Sequence, residues 1–193
     1  MNLINRNIFP LPGIFMKGHM DIGMNKFNGY KLSLDNIKLI VLDYDDTLCI
    51  HLHNGVTRPS EQDWDDLTKE AKENTYLDLI PCGPNKALKL FLDTYFEKTE
   101  KHLLTWANTK QLMSARKAFI KKYYDTEYFT KYEAVPTRED KLHYLFLMAA
   151  YKNLCKNEIL LIEDHPSTLN EARNAGFMAI STAEITYMMW EEK

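Results

Sequence analysis

Residues Ile37 to Leu42 read I-K-L-I-V-L and run straight into Asp43, Asp45 and Asp46. A short, nearly continuous apolar run of branched residues suits a strand covered on both faces, the environment of a parallel sheet. Ligands in such sheets sit at the carboxyl ends of the strands. The three acids fall where this strand must end, so their charge gathers at the open edge of the sheet and not inside it. Carboxylates so close together repel, and a hard divalent cation with oxygen ligands relieves that repulsion. The plain alternative is an acidic turn in which Asp46 or Thr47 accepts backbone N–H bonds. It explains a D-D-T in isolation, but attachment to a buried strand favours a functional site.

The segment Asp43-Tyr44-Asp45-Asp46-Thr47 resembles the first motif of the haloacid dehalogenase superfamily of phosphohydrolases, an apolar strand followed by D-x-D-x-T/V. The resemblance implies that Asp43 attacks phosphorus and that Asp45 is the general acid and base, giving a proton to the leaving oxygen and then activating water. Dehalogenase activity itself is not implied, because members with that activity lack the second aspartate.

A second buried run, Ile159 to Ile162, ends in Glu163-Asp164, and a loop and helix follow over His165 to Asn174, with Ala172 inward and Gly176 placed to end the helix. This resembles the family's last motif. It implies a Mg²⁺ site made by Asp43, Asp45 and Asp164, with Glu163 as an orienting or second ligand. Many members carry another aspartate where this chain has Thr168. Between the motifs, the helical pattern Arg138 to Asn153 carries Lys141 near its start, where the family places a lysine that neutralises nucleophile and phosphate together. Arg138 is the fallback.

The family's second motif is an apolar strand ending in a Ser or Thr that binds phosphate. Here the strand His102 to Ala107 puts Ala107 at the expected hydroxyl position, with Thr105 on the same face one step deeper and Asn108 and Thr109 in the loop beyond. Thr105 and Asn108 are therefore the candidates on the phosphate, with Thr109 as another route to a hydroxyl. The ordinary alternative for Thr105 is a strand residue chosen for its β preference.

Helical spacing recurs over Asn85 to Lys98 and Lys110 to Tyr124. The alternation of strand and helix from Ile37 to Thr182 predicts an α/β, Rossmann-like domain: a parallel, right-handed sheet with helices on both faces. The domain is expected over 36–193, with a small cap or flap inserted at about 49–80. Ser60 and Asp63 suggest a capping box for a short helix through Lys72. The flap's His51, His53, Asn54 and Arg58 are candidate substrate contacts, or plain exposed loop residues. Residues 1–35, broken by Pro10, Pro12 and Gly13, read as a flexible N-terminal arm with a turn at Asn28-Gly29. They lack the unbroken apolar core of a signal peptide or membrane span.

The formal charge of -3 and pI near 6.1 give no electrostatic footprint for nucleic acid. The basic cluster of Arg116, Lys117, Lys121 and Lys122 reads as one solvated helix face. Three scattered cysteines argue for a reducing, cytoplasmic setting and against a disulfide frame. The reading is a Mg²⁺-dependent phosphatase acting on a phosphorylated small molecule or protein side chain. Its alternatives are a phosphotransferase of the same superfamily, a receiver domain, and a non-catalytic module that keeps the fold. A phosphotransferase wants a larger cap, and a receiver domain has its acidic pair before its lysine, the reverse of the order here.

Overall fold

The computed structural model describes residues 34, 36–51, 82–107, 109–125 and 127–191. The N-terminal arm with its turn at Asn28-Gly29, the flap helix and the flap residues His53, Asn54 and Arg58 lie outside the described residues.

The apolar runs form the centre of the sheet because no other place hides them. Strand β1 (Leu39–Leu42) has all four residues fully buried, each side chain contributing about 1.5–3 kcal/mol by leaving water. The chain next makes a tight turn and a short strand β2 (Cys49–His51), which pairs antiparallel with β3 (Cys82–Pro84). Helix α1 (Lys86–Tyr95), strand β4 (Glu100–Trp106), helix α2 (Lys110–Tyr123) and strand β5 (Lys131–Val135) follow. Helix α3 (Asp140–Lys152), strand β6 (Ile159–Ile162), helix α4 (Pro166–Asn174), strand β7 (Met178–Ile180) and helix α5 (Thr182–Glu191) complete the domain. No described helix is long and apolar enough to cross a membrane.

The main sheet has the order β5-β4-β1-β6-β7 and every pairing in it is parallel. This is the α/β architecture that the strand and helix alternation predicts. Alternation along each strand gives the sheet two faces. Leu39, Val41, Leu104, Ile159 and Leu161 pack with Tyr144, Leu145 and Met148 of α3 and Leu169 and Ala172 of α4 in one core. The intervening strand residues, such as Ile40, Leu42, Leu103 and Thr105, present the other face, and Thr105 there meets Arg116 of α2.

Local signals explain most boundaries. Asn85 caps α1 by accepting from the Leu88 N–H at 3.0 Å, and Thr109 caps α2 by accepting from Leu112 at 3.2 Å. Helix α3 begins at Asp140, two residues later than its apolar spacing predicts. Asp140 accepts from both the backbone and the hydroxyl of Thr137 (3.2 and 2.9 Å), which ties the preceding loop down and leaves Arg138 outside the helix. The same helix ends at Asn153 in the left-handed region (φ 51°), and Gly176 (φ 90°) follows α4.

Candidate active site

Leaving β1, the chain builds the sheet first through β4 and β5 and only later through β6 and β7. The order therefore reverses between β1 and β6, and such a switch opens a crevice at the carboxyl ends of the two strands. Asp43 follows β1 and Glu163-Asp164 follow β6. The ladder runs just past the strands to fix them: the Asp43 N–H donates to Ile162 at 3.0 Å and the Glu163 N–H to Ile180 at 3.2 Å. Asp43 and Glu163 are buried, Asp164 is half-buried, and one ligating oxygen from each lies within 4.8 Å of the others.

Asp43 and Glu163 continue the strand faces that α3 covers, so a side chain from the first turn of α3 can reach both. Lys141 does so, its Nζ standing 2.8 Å from Asp43 Oδ1 and 2.7 Å from Glu163 Oε2. Lys141 is 3 % exposed. Burial works against its charge, but the two carboxylates outweigh burial and hold its pKa above the ordinary lysine value. Glu163 is pushed up as well, which for an acid disfavours the charged form. Burial and the nearby Asp43 charge raise it to about 8 despite Lys141 and the His165 N–H, which donates to Oε1 at 3.1 Å. Arg138, the fallback cation, stays on the exposed loop and donates to His165 Nε2 at 3.0 Å.

Asp45 is delivered by a different device. The Tyr44 carbonyl accepts from both Leu48 (3.0 Å) and Cys49 (2.9 Å), closing a turn in which Asp46 has φ 51°. Asp is among the few non-glycine residues that enter this region readily. The turn brings the Asp45 carboxylate between two groups: His51 Nε2 stands 3.0 Å from Oδ1, and Arg116 Nη2 donates to Oδ2. Burial alone would lower the His51 pKa, yet the Asp45 carboxylate outweighs it and raises the value above that of a free histidine.

Several expectations change at this point. Arg116 is not on a solvated face. It is 2 % exposed, whereas Lys117, Lys121 and Lys122 are exposed as predicted. Its Nη1 donates to Thr105 Oγ1 at 2.7 Å and to the Trp106 carbonyl, and its guanidinium lies 5.1 Å from the centre of the Tyr44 ring. The signal was available: Leu112, Ala115, Phe119 and Ile120 form the buried stripe of α2, and Arg116 falls inside it. His51 is likewise a buried strand residue beside Asp45 and not an exposed flap contact.

Thr105 is fully buried, with its hydroxyl accepting from Arg116. Thr109 is committed to capping α2. Asn108 lies outside the described residues. Thr168 is buried in α4, and the third acid of the cluster comes from Glu163.

The donor set suits a small hard cation. It is all carboxylate oxygen, converges at the carboxyl ends of β1 and β6, and sets three acids against the one cation of Lys141.

The chain has the haloacid dehalogenase-like fold. The N-terminal part of a Bacteroides fragilis protein, containing a phosphatase domain and complexed with Mg, superposes with a TM-score of 0.50 at 14% identity, covering 79% of this chain but 39% of that one. A predicted phosphoglycolate phosphatase from Haemophilus somnus gives 0.50 at 12% identity over 77% of this chain and 86% of that chain. A haloacid dehalogenase-like hydrolase from Xanthomonas campestris gives 0.50 at 14% identity over 76% and 82%. No family model and no curated protein matches the sequence.

Proposed function

We propose that this protein is a Mg²⁺-dependent phosphatase that hydrolyses phosphomonoesters through a phosphoryl group carried on Asp43. The observation that carries the reading is the buried Asp43–Lys141–Glu163 chain, with contacts of 2.8 and 2.7 Å, set beside Asp164 at the switch point of the sheet. A nucleophilic carboxylate needs a fixed cation at its side and an open phosphoryl site in front of it. Lys141 is that cation, and the switch point at the carboxyl ends of β1 and β6 is where the proposed phosphoryl site would lie.

In this reading the Asp43 oxygen that Lys141 does not hold attacks phosphorus. The bond from phosphorus to the substrate oxygen breaks, and Asp45 gives that oxygen its proton. Water then attacks the phosphorus of the aspartyl phosphate, passing a proton to Asp45, and the bond to Asp43 breaks to release phosphate. Asp43, Asp45 and Asp164 would hold Mg²⁺, with Glu163 as an orienting or second ligand. When bound, the ion neutralises phosphoryl charge and orients the group for in-line attack. Lys141 neutralises nucleophile and phosphate together, and Asn108 is the remaining candidate donor to the phosphate. Substrates are phosphorylated small molecules or protein side chains, and the setting is cytoplasmic.

Hydrolysis of p-nitrophenyl phosphate by the wild type and by Asp43→Asn, with Mg²⁺ and with EDTA, tests nucleophile and metal together. Activity is expected only with both Asp43 and Mg²⁺. Full hydrolysis by Asp43→Asn would end the mechanism. Ala107, which lacks the family's hydroxyl, favours the rival reading of a non-catalytic module; an aluminium fluoride or vanadate adduct trapped at Asp43 argues against that rival.

A further inference from the structure

The geometry points to Arg116 as the residue that positions Asp45 for proton transfer, an inference that rests on the phosphatase reading above. A general acid must present its carboxyl to the leaving oxygen in one orientation, and a carboxylate at the start of a turn has no strand ladder to fix it. Here each of its oxygens has its own partner. His51 of β2 meets Oδ1 at 3.0 Å, and Arg116 of α2 donates to Oδ2.

The arginine is itself braced. Nη1 donates to Thr105 Oγ1 at 2.7 Å and to the Trp106 carbonyl, two fixed points at the end of β4, so the planar fork has a defined orientation before it reaches Asp45. The Tyr44 ring, between the two aspartates in sequence, closes one side at 5.1 Å and is held by an edge contact to Phe119. Position 116 lies in the apolar stripe of α2, where a methionine would fill the space without burying a charge. Taking a guanidinium out of water is costly, and replacing buried ion pairs by apolar side chains is often neutral or stabilising. Packing alone therefore does not call for this residue. Its reach to Asp45 does.

The test compares wild type, Arg116→Met, Arg116→Lys, Asp45→Asn and the Arg116→Met/Asp45→Asn double variant. Two Mg²⁺-dependent assays are used, one on p-nitrophenyl phosphate and one on an alkyl phosphate such as glycerol 2-phosphate. Arg116→Met is expected to lower kcat by about 10- to 100-fold on the alkyl ester, whose poor leaving group needs a proton, and by clearly less on the aryl ester, with KM within about twofold. In the Asp45→Asn background the same substitution is expected to add little, because the two residues act as one unit. Arg116→Lys keeps a charge and loses the fork; it is expected to fall between wild type and Arg116→Met, and it carries the test if the methionine variant does not fold by thermal melt. Equal losses on both esters, or losses that simply multiply with Asp45→Asn, would reduce Arg116 to a structural role and overturn the inference. Wild-type hydrolysis that depends on Asp43 but is unchanged by Arg116→Met overturns the inference alone. A wild type with no hydrolysis overturns it together with the phosphatase reading.

Discussion

Lys141 shows what a single buried charge does at this site. It joins two carboxylates that are themselves buried, so removing it leaves Asp43 and Glu163 facing each other without a cation. Breaking a buried pair in this way costs about 3–5 kcal/mol. Lys141→Met is expected to lose at least about 100-fold in hydrolysis and to melt well below the wild type. Adding Glu163→Gln to Lys141→Met should recover part of the stability, and a thermal melt of the two variants checks it; additive losses would mean that the three groups are not coupled. Asp43, Glu163 and Lys141 could be picked from the sequence because each stands beside a strongly patterned element, two buried strands and an amphipathic helix. Arg116 and His51 could not be picked so readily. Asp45 is 71 residues from Arg116, and a count of charges in a window assigns that arginine to solvent unless its place in the apolar stripe is weighed; His51 is only 6 residues from Asp45, but the two meet across a turn whose closure a window of sequence does not show.

At the scale of elements, the apolar runs predicted β1, β6 and the middle of β4 to within a residue or two. Strands β5 and β7 carry weaker signals: Lys131–Val135 reads K-Y-E-A-V with a largely exposed or half-buried pattern, as an edge strand can, and Met178–Ile180 is only three residues long. The start of α1 couples three elements. Asn85 accepts from Leu88 through Oδ1, donates from Nδ2 to the Thr47 carbonyl at 3.0 Å, and gives its backbone N–H to the Tyr124 hydroxyl at 3.1 Å and to the Leu48 carbonyl at 3.0 Å. It therefore ties the helix to the turn that carries Asp45. Asn85→Ala is expected to cost about 1–2 kcal/mol, the loss of a cap and of one further bond. Asn85→Asp keeps the cap and loses the donor to Thr47, so it should cost less. Chemical denaturation of the three proteins measures the order, and an alanine variant as stable as the wild type would show that the tie is slack.

Across the whole molecule, stability rests on the two-faced sheet; all three cysteines are free. One polar cluster inside that framework makes stability depend on pH. His102, 1 % exposed, meets Tyr144 Oη at 3.0 Å and Glu100 at 2.7 Å, and burial lowers its pKa below the ordinary 6.5 even though Glu100 pulls the other way. Below pH 6.5 the unfolded chain therefore takes up a proton at this site that the folded chain does not, and stability falls with acid. Glu100 adds to the trend. Burial raises its pKa, but Lys152 and His102 outweigh that and bring it below 4.5, so its contribution is present above that value and lost on further acidification. Glu163 and His51, whose pKa values are raised, pull the other way over the same range, so the test is the difference between proteins: His102→Gln, which keeps a polar side chain but does not titrate, is expected to lose less melting temperature than the wild type as pH falls below 6.5. An unchanged slope would assign the effect to other groups.

The two faces of the sheet also divide control of the aspartates. Lys141 reaches Asp43 from α3 on one face, and Arg116 reaches Asp45 from α2 on the other. Each acid answers to its own helix. Drift or design along α3 can retune the first without disturbing the second, and the reverse holds for α2, so the two halves of the site can be varied as separate dials on one rigid frame.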